Sequence, residues 1–370
     1  MDGVYPTHAQ KGLGCRLWCE GRPYIDYVCG LGTNLFGYAN QTITNAAVGA
    51  LNGGAVLSLS SDLEISFGRK LKELVPFVER MKILKTGTEA CISAIKIARA
   101  HTKRPMILTE GYHGHADEFV SLTPPAAGCM ARKYIDPLAG DFSNLDQNTA
   151  AVIVEPIMTD ASETRKDWLR SLRAKCTETG TLLIFDEIIT GLRVPKNTVS
   201  RYWGIEPDII CLGKAIGGGL PLSVVGGKAE VMNQPDYFVS STFAGDRVAL
   251  SAGIAAIEMC LTVKTPERLW EQGVKFLTGF NSLLTDVKIE GYPSRGVFKG
   301  DELTKALLWQ EACLAGLLFG PSWFFNHHHA EYTDMVLNTL SDIAKKIKSG
   351  GVKLFGQMPK TPFAQLQRGK

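Results

Sequence analysis

A carboxylate and a lysine end two apolar segments of the sequence, in positions where both could do chemistry. Asp186 closes the segment LLIFD, and Lys214 follows the segment DIICLG. A carboxylate at the end of a buried strand is costly unless it has a partner, so Asp186 could be a metal ligand, an acid for nucleotide hydrolysis or the partner of a protonated pyridine nitrogen. A lysine between an apolar strand and a glycine-rich loop is poorly solvated, which favours a nucleophilic amine that can attack an aldehyde. A surface lysine in a flexible loop would give the same pattern.

A phosphate site is predicted where a short strand passes into a helix. Gly87 and Thr88 stand at the start of the segment GTEACISAIKIARA. The free amide groups and the dipole of a helix N-terminus favour a bound phosphate. The segment lacks the Walker-A sequence, so it does not predict a P-loop nucleotide site. Ordinary capping of the helix by Thr88 would explain the same residues.

The segment EGYHGHADEF places an aromatic residue and two histidines in a glycine-flanked loop. The face of Tyr112 could stack on a flat heterocycle. His113 and His115 are conceivable metal ligands, but their spacing differs from that of the helical H-E-x-x-H motif. We therefore predict no metal site.

The order of the predicted elements favours an α/β fold. Strands are predicted at 81–84, 106–109, 151–154, 181–185, 208–212 and 222–226, and helices at 42–51, 63–74, 89–100, 167–179 and 249–260. Such alternation predicts a mostly parallel sheet with helices on both faces, and polar residues at the carboxyl ends of its strands would form the ligand site. A β-hairpin is predicted near the start of the chain. After residue 260, helices at 266–286, 301–315 and 334–348 and a strand at 317–319 indicate a smaller α+β lobe.

The composition is that of an ordinary globular protein, with 45% hydrophobic and 21% charged residues. A net charge of +3 is too small to favour nucleic acid or an anionic membrane as a partner. The nine cysteines are scattered and include no C-x-x-C pair, which favours reduced thiols over a zinc site or disulfides. Because neither a signal peptide nor an apolar run of 18 residues is evident, we expect a cytoplasmic protein without membrane contact.

Taken together, these segments resemble the class-III aminotransferases, which are pyridoxal-phosphate (PLP) enzymes of fold type I. The resemblance is most specific over residues 182–232. Within the family, the chain most resembles the members that are similar to glutamate-1-semialdehyde 2,1-aminomutase. The motifs that carry the resemblance are GTEACISAIKIARA, EGYHGHADEF, AVIVEP, LLIFDEIITGLRV, WGIEPDIICLGKAIGGGLPLSVVGGKAEVM, STFAGDRVALSAG and GLLFGPSWFFN. The resemblance implies a seven-stranded, mostly parallel sheet and pyridoxal 5'-phosphate as the cofactor.

The resemblance also implies roles for individual residues. Lys214 would bind the cofactor as a Schiff base and move a proton, and Asp186 would keep the pyridine nitrogen protonated. Ile188 and Tyr112 would lie on opposite faces of the ring, and Thr242 would reach the phosphate of a neighbouring subunit's cofactor, which requires a homodimer. The cofactor-binding residues implied by the family are Gly87, Thr88, Tyr112, His113, Glu155, Asp186, Ile188, Lys214 and Thr242.

The resemblance leaves the reaction open. An aminotransferase would pass an amino group from a donor to a carbonyl acceptor through pyridoxamine phosphate. An aminomutase would move it within glutamate 1-semialdehyde. A non-catalytic binding protein on the same fold is a third alternative. Two features differ from the aminomutases: no counterpart of their N-terminal arm with its arginine is evident before the GLGCRLW hairpin, and Phe325 stands in place of an acid. Residues Trp323, Phe324 and Phe325 could line an apolar pocket or belong to the core of the smaller domain.

Two further departures lie beside the predicted cofactor site. Lys85 replaces an asparagine that commonly precedes the phosphate-binding residues, and Asp246-Arg247 replaces a common Asn-Pro. We predict three parts of the chain: an N-terminal segment (1–45) that packs with the small domain, a large PLP-binding domain (46–255) and a C-terminal small domain (256–370).

Overall fold

The chain forms two compact units in a computed structural model that describes residues 4–120, 126, 128–130, 133–234 and 237–355. The larger unit runs from Thr42 to Lys264, and the smaller unit combines the residues up to Gln41 with those from Thr265 onward. The strands are β1 (Ala9–Leu13), β2 (Arg16–Cys19), β3 (Arg22–Asp26), β4 (Arg80–Leu84), β5 (Met106–Glu110), β6 (Ile135–Pro137), β7 (Thr149–Val154), β8 (Leu182–Glu187), β9 (Ile209–Leu212), β10 (Ser223–Gly227), β11 (Val287–Tyr292), β12 (Arg295–Gly300), β13 (Leu317–Leu318) and β14 (Ser322–Phe324). The α-helices are α1 (Cys29–Gly32), α2 (Gln41–Asn52), α3 (Asp62–Leu74), α4 (Gly87–Thr102), α5 (Asp117–Val120), α6 (Glu163–Thr179), α7 (Val199–Trp203), α8 (Ala229–Met232), α9 (Arg247–Val263), α10 (Thr265–Asn281), α11 (Glu302–Leu314) and α12 (Thr333–Lys348).

A seven-stranded sheet forms the centre of the larger unit, in the order β4-β10-β9-β8-β7-β5-β6. The pairs β9/β8, β8/β7, β7/β5 and β5/β6 are parallel, whereas β10 is antiparallel to both of its neighbours. Strands β7 to β10 are buried along their whole length, as expected for strands whose two faces are both covered. The predicted fold class, α/β with a mostly parallel sheet, is confirmed.

Local sequence signals explain where the main helices of this unit begin. Ser61 caps α3 in a capping box with Glu64. Thr86 and Glu89 form the same arrangement at the start of α4. Side-chain contacts that are local in the sequence therefore fix the residue at which each of these two helices begins.

The smaller unit contains two sheets and an aromatic core. One sheet has the order β1-β2-β3-β13, with β13 parallel to β3, and the other has the order β11-β12-β14. In the core, the ring of Tyr27 stacks on Phe319 at 4.9 Å between centroids, and the ring of Phe276 stacks on Trp323 at 5.1 Å. Residues Trp323, Phe324 and Phe325 are all buried, so the structure supports their interpretation as core.

The predicted helix at 266–286 differs from the observed one. Helix α10 ends at Asn281, and the chain then turns into strand β11. The side chain of Asn281 binds both backbone groups of Ile289, at 2.8 Å from the Ile289 nitrogen and 3.0 Å from its oxygen. This non-local contact stops the helix, although the apolar residues at 283–284 would suit another turn.

Among the residues described, no single helix is long and apolar enough to cross a membrane. The consecutive helices α9 and α10 would meet the length and composition criteria only as a bent pair. Helix α9 buries most of its apolar side chains and Gly253 inside the larger unit, as core helices do.

Gly253 allows helix α9 to pack closely against its neighbours, so its replacement should destabilise the larger unit. A Cβ at this position would lie 2.5 Å from Leu222 Cδ2 and 3.0 Å from Phe67 Cε2. We expect Gly253→Ala to lower the free energy of unfolding by about 1–3 kcal/mol through overpacking, measured by urea denaturation. Gly68→Ala is the matched control, because its Cβ meets only Met81 Cε at 3.6 Å; this variant should gain up to about 1 kcal/mol of stability. Equal effects of the two substitutions would contradict this account.

Candidate active site

Asp186 is a buried carboxylate held by three hydrogen-bond donors. It lies near the end of strand β8 with 4% of its surface exposed. His113 Nδ1 donates to Oδ2 at 2.8 Å, the Cys91 thiol donates to the same oxygen at 3.4 Å, and the Ile188 amide donates to Oδ1 at 3.0 Å. Donors of this kind favour the charged form of a carboxylate and so offset the cost of its burial.

Cys91 is a donor that the sequence analysis missed. Its pKa is raised well above the usual value by the hydrogen bond with Cys211 and by burial, so the thiol stays protonated and can donate to Asp186. Its only sequence signal is its place on α4, one helical turn after Gly87.

The ligand atoms of Cys91, His113 and Asp186 lie within 4.8 Å of one another, which is close enough for a metal ion. Within this group the side chains bond to one another, since His113 Nδ1 and the Cys91 thiol both contact Asp186 Oδ2. The hydrogen bonds therefore favour a carboxylate held by donors over a metal centre.

Lys214 and Asp186 lie at the same edge of the sheet. Strands β8 and β9 pair in parallel, with Asp186 opposite Cys211 and Glu187 opposite Leu212. Lys214 follows two residues after Leu212 and begins a short 3-10 helix. Its backbone φ is +45°, a left-handed conformation that is uncommon for a residue other than glycine and occurs often at functional sites.

Ile188 packs between two glycines that belong to other segments of the site. A Cβ on Gly87 would lie 3.0 Å from Ile188 Cγ2, and a Cβ on Gly213 would lie 2.9 Å from Ile188 Cδ1. The absence of side chains at both glycines therefore lets Ile188 contact the start of α4 and the residue before Lys214. This contact brings three of the predicted segments together.

The start of α4 is capped by Thr86, so the alternative of capping by Thr88 is wrong. Thr86 Oγ1 accepts a hydrogen bond from the Glu89 amide at 3.2 Å, and Glu89 Oε2 accepts from the Thr86 amide at 2.7 Å. The first intrahelical bond runs from Ala90 N to Thr86 O, so the amides of Gly87 and Thr88 come before it. Amides in this position point out of the helix N-terminus.

The loop after β5 packs on the start of α4. Glu155, which is buried, accepts a hydrogen bond from the Tyr112 amide at 2.8 Å. Gly114 has a φ of +105°, and a Cβ there would lie 2.4 Å from Thr88 Oγ1. Tyr112 is 46% exposed, while His113 is buried and contacts Asp186. The structure therefore brings Tyr112, His113, Glu155 and Thr88 to one side of the site.

Thr242 lies exposed in the turn that precedes α9. Asp246, in the same loop, contacts the residue that precedes the predicted phosphate site: its Oδ2 is 2.9 Å from Lys85 Nζ. The role of Thr242 toward a neighbouring subunit stays a prediction.

Glu187 is a second buried acid that the sequence analysis did not single out. It is fully buried and accepts hydrogen bonds from the amides of Val199 (2.7 Å) and Ser200 (3.0 Å) and from the Thr190 hydroxyl (3.0 Å). Burial raises its pKa to about 7, against the lowering effect of these donors. Glu187 thus anchors the loop that follows Asp186.

The comparisons with known proteins agree with this geometry. The sequence model of the family described as "Aminotransferase class-III" matches residues 2–148 and 130–322, so the chain belongs to the class-III aminotransferases. It is therefore an enzyme, and the prediction of pyridoxal 5'-phosphate as its cofactor is confirmed.

Two relatives and one solved structure illustrate the similarity. The chain is 30% identical to a glutamate-1-semialdehyde 2,1-aminomutase of Syntrophobacter fumaroxidans over 79% of its length and 74% of the relative. It is 29% identical to the enzyme of the same name from Persephonella marina, with 93% and 92% covered. Its fold matches the PLP internal aldimine form of the FumI protein from Sphingopyxis sp. MTA144 with a TM-score of 0.86 at 24% identity, covering 95% of this chain and 92% of that one.

Glu187 should make the stability of the protein depend on pH near neutrality. Its pKa is about 7 in the folded protein and 4.5 without the environment of the fold, so the folded state holds this proton more tightly. The resulting stability, about 3 kcal/mol, is fully present below pH 4.5 and is lost as the pH rises toward 7.

Urea denaturation between pH 5 and about 8 tests this expectation. The decline in the free energy of unfolding should be shallower for Glu187→Gln than for the wild type. Glu178→Gln, at an exposed position on α6, is the control and should leave the slope unchanged. A Glu187→Gln protein with the wild-type slope would show that Glu187 does not titrate in this range.

Proposed function

We propose that this enzyme transfers an amino group from an amino donor to a carbonyl acceptor, with Lys214 and Asp186 as its catalytic residues. The observation that carries the proposal is the buried Asp186 carboxylate, held by His113, Cys91 and the Ile188 amide at the sheet edge where Lys214 begins its turn. PLP, when bound there, supplies a protonated ring that withdraws electrons from the substrate carbon.

The residues present fit this cofactor. Asp186 offers a buried negative charge for a protonated ring nitrogen, and the amides of Gly87 and Thr88 at the N-terminus of α4 suit a phosphate. Gly87 and Gly213 carry no side chains where Ile188 packs, so the backbone stays close to this residue. The site thus offers a carboxyl group for the ring nitrogen of PLP at one end and backbone amides for its phosphate group at the other.

The side chains of the site would have separate roles. Asp186 holds a negative charge, while His113 and Cys91 fix the position of its Oδ2 oxygen. Lys214 Nζ would hold the cofactor and then move a proton at the substrate carbon. Tyr112, Ile188, Glu155 and Thr242 keep the cofactor-binding roles that the family resemblance implies, and these assignments are part of the proposal.

An aminomutase is the second candidate function. It is favoured by the relatives named glutamate-1-semialdehyde 2,1-aminomutase, which are 29–34% identical to this chain. Phe325 stands where those enzymes have an acid, and it is buried in the aromatic core of the smaller unit. We therefore place intermolecular amino transfer first.

We also propose that the enzyme acts as a homodimer. A cluster of exposed apolar side chains lies just before α3, in its first turn and beside Thr242: Leu57, Leu59, Ile65 and Phe243. The backbone joins the two segments, because the Arg247 amide donates to Ala55 O at 2.8 Å. A second copy of the chain would cover these side chains and bring its Thr242 to the neighbouring site.

Two coarser assignments belong to the same proposal. The region 46–255, which lies within the larger unit, would be the PLP-binding domain, since all the proposed site residues lie in it, and the smaller unit would be the small domain together with its N-terminal segment. A cytoplasmic location agrees with the nine described cysteines, none of which forms a disulfide bond.

Absorbance spectroscopy tests the role of Lys214. The protein mixed with PLP should show the band at about 420 nm that PLP acquires when joined to an amine, and Lys214→Ala should lack it. Lys228→Ala, at a half-exposed lysine paired with Glu206, is the control and should keep the band. A band of full intensity in Lys214→Ala would refute the assignment.

Titration with substrates separates the two candidate reactions. Loss of the band at about 420 nm and growth of one at about 330 nm on adding simple amino acids would support an aminotransferase. Conversion of glutamate 1-semialdehyde without any added donor or acceptor, together with no response to amino acids, would support the aminomutase instead.

Sedimentation velocity tests the dimer. The wild type should sediment as a dimer, whereas Phe243→Asp should shift toward monomer and lose PLP affinity, because a charge in an apolar interface is costly. Phe238→Asp is the control, since Phe238 is also exposed (80%) but lies outside the cluster. A fully active wild-type monomer would contradict the proposal.

A further inference from the structure

An ion pair connects three loops around the proposed cofactor site. Lys85 Nζ lies 2.9 Å from Asp246 Oδ2 and donates to Pro221 O at 3.2 Å. Lys85 directly precedes the phosphate-loop residues Thr86 to Thr88, Pro221 follows the turn that begins at Lys214, and Asp246 ends the turn that contains Thr242. One ammonium group therefore joins the loops that carry the proposed phosphate, amine and subunit-contact residues.

Both partners of this pair are fixed by additional contacts. The side chains of Lys85 and Asp246 are only 13% and 20% exposed, so water screens their attraction less than that of a surface pair. The Lys85 amide donates to Glu89 Oε2 at 3.0 Å, within the capping arrangement of α4. Asp246 caps α9, because its Oδ1 accepts from the Val248 amide at 3.0 Å. The pair thus connects the N-termini of two long helices.

The same two positions are departures from the family pattern, in which an asparagine commonly stands at each. A lone lysine or a lone aspartate in this partly buried place would be costly. In this chain the two side chains neutralise each other across a distance of 2.9 Å. The charge of Lys85 is already engaged by Asp246 and Pro221 O, so its task differs from direct contact with a phosphate.

We propose that Lys85 and Asp246 are positioning residues that hold the phosphate loop, and thereby set the affinity of the enzyme for the phosphate group of its cofactor. This inference rests on the proposed function, because it assigns a phosphate to the start of α4. It deepens that function by adding two residues that act through Gly87 and Thr88 and do not touch the cofactor.

The test compares PLP with pyridoxal, which has the same aldehyde and ring but no phosphate. Lys85→Met keeps the aliphatic part of the side chain, and Asp246→Asn keeps an oxygen that can cap α9. Each variant should bind PLP about fivefold to tenfold more weakly, while the dissociation constant for pyridoxal changes less than about twofold. The double variant should be no weaker than either single one, because the two residues act as a pair.

Lys70→Met is the matched control, because Lys70 forms an ion pair with Glu258 in the same unit at 3.5 Å. It should leave the ratio of the PLP and pyridoxal dissociation constants unchanged. Equal weakening of both ligands by Lys85→Met would reduce the pair to a general structural role and overturn the inference. Tighter PLP binding by Asp246→Asn would also overturn it, since it would mean that a released Lys85 binds the phosphate directly.

Failure of the inference differs from failure of the proposed function. If the wild-type protein binds neither PLP nor pyridoxal and shows no band at about 420 nm, the proposed function fails and the inference fails with it. If the wild type binds PLP and both single variants bind it equally well, only the role of the ion pair is overturned.

Discussion

The cost of burying the charge of Asp186 is the constraint on which the site depends. This carboxyl group is only 4% exposed, and its hydrogen bonds with His113, Cys91 and the Ile188 amide offset the cost of its burial. These donors come from the loop after β5, from helix α4 and from the residues after β8. Satisfying one carboxylate thus requires three segments to converge at the edge of the sheet.

Close backbone contacts complete this convergence. Ile188 can donate to Asp186 and still reach two other segments because Gly87 and Gly213 leave room for its side chain. Glu187 holds the following loop through three hydrogen bonds, and its burial raises its pKa to about 7. Two adjacent acids on one strand therefore have different roles: Asp186 accepts hydrogen bonds from three donors of the site, and Glu187 anchors the backbone of the following loop.

The sequence was informative wherever the signal was local. Asp186 and Lys214 each end an apolar run, and the periodicity of those runs predicted the alternation of strands and helices that the structure shows. The sequence pattern did not predict contacts between residues that are far apart along the chain. Lys85 and Asp246 are 161 positions apart, and Cys91 donates across 95 positions to Asp186. Short strands such as β14, with three residues, were missed because they are held by their neighbours in the sheet and hardly by their own pattern.

The pairing of strand β13 with β3 has a consequence for how the chain is made. Leu317 lies beside Ile25, so about 290 residues must leave the ribosome before the first hairpin meets its partner strand. At about 5–20 residues per second, the hairpin waits some tens of seconds, while the residues of the larger unit emerge in between. The residues of the larger unit therefore emerge as one continuous segment that can fold first. The smaller unit completes its sheet only afterwards, when β13 is available to pair with β3.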